Sequence, residues 1–138
     1  MIYNYKAFDE KSNKWVYGER EIIINPKDLS KQYFIVNEKE RIEFNKEMLC
    51  KVTPLTSGPN KIPIYDKDII TINFQDDSPA AFVVSRGECK LHLEQEDVTI
   101  YGLYLKGYDN KDYIFSDTIV KNPEEVAIIG NILENHFN

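Results

Sequence analysis

The chain has 138 residues, 42% of them apolar and 12% aromatic: enough for one domain, or two small subdomains sharing a core, without a metal or disulfide staple, and too apolar for a disordered chain. The net charge of −6 is uneven, with 10 basic and 9 acidic residues in Met1–Lys51 against 7 and 14 in Val52–Asn138. An acidic half repels a phosphate backbone, so duplex DNA or RNA is a poor partner.

Nine tyrosines and seven phenylalanines beside many isoleucines suit the pleated, half-buried surface of a sheet. Ile2 to Phe8 and Trp15-Val16-Tyr17, separated by the polar run Asp9 to Lys14, read as a β-hairpin. Arg20 to Asn25 reads as a third short strand, ended by the turn Pro26-Lys27-Asp28. Gln32 to Asn37 is a strong strand and Arg41 to Phe44 a weaker one. Asn45 to Cys50 has room for one helical turn with Asn45 as its cap. Pro54 to Asn60, with two prolines and a glycine, reads as a loop and as a seam between subdomains 1–60 and 61–138.

Beyond it, Asp68 to Phe74 alternates, with Ile70, Ile72 and Phe74 on one face and Ile69, Thr71 and Asn73 on the other. Asp76 to Pro79 is a turn and Ala80 to Val84 a strand. Arg86-Gly87-Glu88 can turn into Lys90 to Glu94, a strand with Leu91 and Leu93 facing inward. Val98 to Leu105 is a further strand, and Asp109 to Asp112 a turn into Tyr113-Ile114-Phe115. Short strands at this spacing indicate a sandwich or small barrel. Local chemistry leaves the C-terminus open. Asn122-Pro123-Glu124-Glu125 is a good helix start, whereas Ile128, Ile129 and Gly130 favour a strand.

Cys50 and Cys89 have no metal-type spacing, and the first residues lack the apolar stretch of a signal peptide. No apolar run approaches the roughly 20 residues of a membrane helix. The expectation is a cytoplasmic protein with reduced thiols and no membrane association.

Three segments in order along the chain resemble the YopX family of phage and prophage proteins. The first is Tyr5-Lys6-Ala7-Phe8-Asp9 followed by Lys14-Trp15-Val16-Tyr17-Gly18. The second is Ile64-Tyr65-Asp66-Lys67-Asp68-Ile69-Ile70, where the family has Ile-Tyr-Glu-Gly-Asp-Ile-Val. The third is Val126 to Asn135, similar to the family's closing Val-Ile-Gly-Asn-Ile-Tyr-Glu-Asn run. The resemblance implies a mostly-β protein with few or no helices: an N-terminal β-meander, then a small SH3-like barrel from near Tyr65, with Asp68 opening its first strand and capping a turn. It implies a final strand with Val126, Ile128, Gly130 and Ile132 on one face. Lys67 in place of the family's glycine suggests a backbone position that does not need positive φ. The family supplies no catalytic residues.

The residues suggest no catalytic, cofactor or metal site. Cys89 and His92 fall on opposite faces of a strand, among acidic neighbours that disfavour a thiolate. Asp76-Asp77 and Glu94-Gln95-Glu96-Asp97 suit turns and match no calcium loop. His136 reads as a solvated tail. Two surfaces are candidates. Glu94, Glu96 and Asp97 offer an acidic surface to a host or phage protein. Tyr5, Trp15 and Tyr17, with Tyr3, Lys6 and Lys14, offer either a platform for single-stranded nucleic acid or ordinary cross-strand packing. The leading expectation is a non-catalytic interaction module, capable of homo-oligomerising through exposed sheet edges; the alternative is a single-strand-binding small barrel.

Overall fold

The computed structural model describes residues 2–72, 80–114 and 125–135. The fold is mostly β, as the composition and the resemblance imply. The expected strand and turn residues Asn73, Phe74, Asp76 to Pro79, Phe115 and Asn122 to Glu124, and the tail residue His136, lie outside the described residues. The chain divides into two units, Met1–Val52 and Thr53–Asn138.

The first unit is an antiparallel meander. β1 (Tyr5–Asp9), β2 (Lys14–Ile24), β3 (Lys31–Val36) and β4 (Arg41–Phe44) follow one another, and the start of β5 (Leu49–Ser57) returns beside β1. Asp9 shapes the first turn, its carboxylate accepting from Lys11 N at 3.1 Å and Ser12 Oγ at 2.9 Å. Arg20 to Ile24 is not a separate strand, because β2 runs unbroken for 11 residues. The glycine inside it serves close approach rather than a turn: a Cβ on Gly18 would collide with the Val36 carbonyl oxygen. Ala7, Val16, Ile35 and Leu49 form this unit's core, with Tyr5, Tyr33, Ile42 and Phe44 packed against it. The helical turn after Asn45 is a short 3-10 turn, Lys46–Met48, and Asn45 makes no side-chain cap.

The proline-rich segment is strand, not loop, as far as Ser57. Thr53, Leu55 and Ser57 are buried while Pro54 is exposed. β5 pairs with β1 through Leu49–Lys51, followed by a backbone bond from Val52 N to the Asn4 carbonyl at 2.8 Å, and a proline is tolerated in a strand where no partner needs its N–H. The turn follows, with Gly58 at φ 73° and Lys61 at φ 53°.

The second unit places the end of β5 beside β6 (Ile62–Tyr65) and adds a five-stranded antiparallel sheet. Its strands are β7 (Asp68–Ile72), β8 (Ala80–His92), β9 (Asp97–Gly107), β10 (Asp112–Tyr113) and β11 (Val126–Asn131), in the order β10-β9-β8-β7-β11. Leu55, Ile64, Ile70, Ile72, Phe82, Val84, Leu105 and Val126 form its core. Ile69 is buried as well as Ile70 and Ile72, so β7 is covered on both faces.

Arg86-Gly87-Glu88 does not turn the chain. β8 continues through it to His92, with Gly87 opposite Gly102. Both glycines hold positive φ, 130° and 150°, and the consequence is a fold-back of the hairpin. Lys90 lies opposite Thr99, and Asp112 lies opposite Lys106. Those β9 positions would stand roughly 23 Å apart in a straight strand, yet Lys90 N donates to Asp112 Oδ2 at 2.9 Å. A bend at paired glycines is how a sheet curls toward a small barrel. Past the bend Cys89 is the buried side chain, while Leu91 is half-buried and Leu93 is 54% exposed. The inward assignment of the two leucines is thereby corrected.

The C-terminal segment is a strand ending in a four-residue helix, Ile132–Asn135. A register shift between Ile128 and Gly130 interrupts the expected single face. The bulge leaves Ile129 60% exposed and turns Asn131, rather than Ile132, inward. Asn131 then donates through Nδ2 to Asp68 Oδ1 at 2.9 Å, while Asp68 Oδ2 caps Tyr65 N at 2.8 Å. Lys67 sits in this turn at φ 71°, the left-handed conformation that its side chain suggested was not needed. Two backbone bonds hold it there, Lys67 N to the Val84 carbonyl at 2.6 Å and Ile132 N to the Lys67 carbonyl at 3.0 Å.

Two substitutions test this knot by urea unfolding. Lys67→Gly removes the steric penalty of left-handed φ and raises stability by up to about 1 kcal/mol, the gain being limited by glycine's larger chain entropy. Asp68→Asn turns an amide NH2 toward a buried donor and lowers stability by about 2 kcal/mol. An unchanged midpoint for Asp68→Asn would show that the knot contributes nothing.

Candidate interaction surface

The aromatic residues of the first hairpin do not form one platform. The register pairs Tyr5 with Gly18, Lys6 with Tyr17, Ala7 with Val16 and Phe8 with Trp15. Cross-strand partners share a face, so Trp15 and Tyr17 stand with Lys6 and Phe8, and Tyr5 stands on the opposite face. On the first face the Phe8 and Trp15 rings lie 5.1 Å apart, tilted by 58°. The buried Lys6 places Nζ 4.3 Å from the Trp15 ring centroid, a cation–π contact strengthened by partial desolvation. Tyr5 joins the core on the other face beneath the Arg20 guanidinium, 4.9 Å from its ring. Tyr3 is engaged elsewhere. Its hydroxyl donates to the Glu38 carboxylate at 2.6–2.7 Å, which raises the phenol's pKa and lowers that of Glu38. Of the expected platform, Tyr17 alone is an exposed ring, at 42%.

The acidic residues of the second candidate lie together in the chain's last long hairpin. Glu94, Glu96 and Asp97 sit at the exposed end of the β8–β9 hairpin. Leu93 N donates to the Glu96 carbonyl at 3.0 Å and closes the loop. His92 Nδ1 and Asp97 Oδ1 stand 2.9 Å apart across its base. Of the three carboxylates, that of Asp97 braces the loop, and this end of the hairpin also exposes large apolar side chains: Leu93 at 54% in the loop, and Ile100 at 40% and Tyr101 at 77% along β9 toward the glycine bend. Ile100 and Tyr101 carry no obvious sequence signal as a pair, because strand alternation places one face of Val98 to Leu105 inward until the glycine bend swings the hairpin end away from the core.

Cys89 is fully buried and its thiol pKa is raised, first by desolvation and then by the nearby Asp112 carboxylate. His92 is exposed and paired with Asp97, so the Cys89 and His92 side chains do not meet as nucleophile and base. Among the described residues no group of three or more His, Cys, Asp or Glu side chains is placed to hold a metal ion. Among the same residues no helix is long and apolar enough to cross a membrane. No protein-family model, curated protein or solved structure matches the chain.

The Trp15 contacts give a direct test. Trp15→Ala removes the Phe8 stacking and uncovers the buried Lys6, and costs about 2–3 kcal/mol of stability. Circular dichroism is the probe, since Trp15 is the sole tryptophan. A stability equal to the parent's would return Trp15 to the role of a solvent-facing platform residue.

Proposed function

We propose that the chain is a YopX-like phage or prophage protein that acts as a non-catalytic protein-interaction module in the cytoplasm of a bacterial host. Its β8–β9 hairpin tip is the surface that meets a basic partner. The observation that carries this reading is the hairpin end: exposed Leu93 beside Glu94, Glu96 and Asp97 at the loop, with Ile100 and Tyr101 exposed on the two faces of β9 between the loop and the glycine bend. Apolar and aromatic anchors with a charged rim are how protein interfaces are built, and the rim charge sets partner sign and encounter rate. The family part of the reading is supported by the meeting of two of the three resembling segments, since Asp68 and Asn131 are hydrogen-bonded. Self-association through the edges is compatible with it, β4 and β10 each ending a run of paired strands.

The test is a tagged pull-down from bacterial lysate treated with nuclease, followed by affinity measurement on the recovered protein. Changing Glu94, Glu96 and Asp97 together to lysine should weaken a basic partner about tenfold or more, and Tyr101→Ala should cost about 2 kcal/mol of binding. Equal recovery by the charge-reversed protein would sink the tip as the docking surface. A partner set that vanishes with nuclease would replace the reading with nucleic-acid binding.

A further inference from the structure

The acidic half of the chain hides a segregated set of cations. Val52–Asn138 contains seven Lys and Arg residues, and five of them line two concavities of the second unit, each of about 550 Å³. Lys67 and Arg86 line the first, Lys90 and Lys111 the second, and Lys106 lines both. Among the described residues, Asp66 and Asp112 are the acids that line these walls, and Glu88 stands 3.9 Å from Lys90 Nζ. Both aspartates are engaged there: Asp66 accepts from Arg86 Nε at 2.8 Å, and Asp112 accepts from Lys90 N at 2.9 Å. Solubility does not require such sorting. It gathers positive charge in the concave part of a surface that is otherwise negative.

We propose that this cation-lined groove binds a small molecule bearing two or more linked phosphates. The inference is independent of the hairpin-tip reading. Three physical points select the ligand class. The cavity volumes are those of small-molecule sites. Lysines act as point charges toward phosphate, with several donors each, and Lys106 is shared by the walls of both concavities. Screening over roughly 8 Å at physiological salt lets a short anion feel the groove alone, whereas a long nucleic-acid strand would run on to the acidic surface beyond it. Tyr113, in the wall of the second concavity, offers a ring for a base if the ligand is a nucleotide. The glycine bend builds the site, because it carries Lys90 back to Asp112 and beside Lys106 and Lys111.

Isothermal titration calorimetry at low salt, on the whole chain, with pyrophosphate, tripolyphosphate and ATP, tests the proposal. Binding of at least one is expected, weakened about tenfold or more by Lys106→Glu and unchanged by Lys61→Glu, which alters the same net charge outside the groove. Lys106→Gln, with circular dichroism on each variant, separates loss of binding from loss of fold. Comparable binding of tripolyphosphate and ATP identifies the phosphate chain as the recognised element; binding of ATP alone identifies a nucleotide. The proposal is overturned if none of the three binds, or if both Lys106 variants bind like the parent. It is also overturned if a single-stranded oligothymidylate binds while the three small ligands do not.

Discussion

The crossing of Gly87 and Gly102 is the constraint on which the second unit depends. Both residues hold positive φ at one rung of the β8–β9 ladder, a combination that side-chain-bearing residues reach only under strain. Through this rung a 13-residue and an 11-residue strand stay paired while folding back on themselves. The bend sets which side of each strand is covered. Phe82 and Val84 are buried before it, and Cys89, on the alternate side, after it. It also divides the hairpin into a part that packs on Leu105 and Ile70 and an exposed end that carries the acidic and apolar tip.

A second point of order lies at the β6–β7 turn. Asp68 and Asn131, both 1% exposed, satisfy each other and cap Tyr65 N and Leu133 N. A buried polar pair stabilises only when each partner is hydrogen-bonded, and here the bonds tie a turn, the start of β7 and the end of β11 into one unit. The strained Lys67 backbone is held by bonds to Val84 and Ile132. Its side chain is placed in the groove wall as a result, which gives a physical sense to lysine at a position where glycine would be less strained.

Charge is organised in the second unit on two scales. Over the whole half the acids win, and at the hairpin tip they are exposed with apolar neighbours. Within the groove the cations win. The first arrangement suits a basic protein surface and the second a compact anion, and one chain can present both because screening separates surfaces on the scale of a Debye length.

The sequence by itself determined the mostly-β class, the strands around Tyr5, Phe34, Ile70, Phe82 and Leu105, and the turn at Asp9, since alternation, β-branched content and turn residues are local signals. Its motif-level resemblance also favoured a strand over a helix after Val126. Tertiary structure decided what local pattern leaves degenerate. Pro54 lies in a strand because β1 pairing has already ended there. Arg86-Gly87-Glu88 bends a ladder instead of turning the chain because Gly102 is its partner, and that pairing is visible only once the register is known. The bulge at Ile129 chose Asn131 over Ile132 as the inward residue. Cross-strand register sent Tyr5 and Trp15 to opposite faces, and a fold-back brought Lys90, Lys106 and Lys111 to one groove from positions far apart along the chain. Each of these depends on which residues stand opposite one another, a property of the pairing rather than of any single strand.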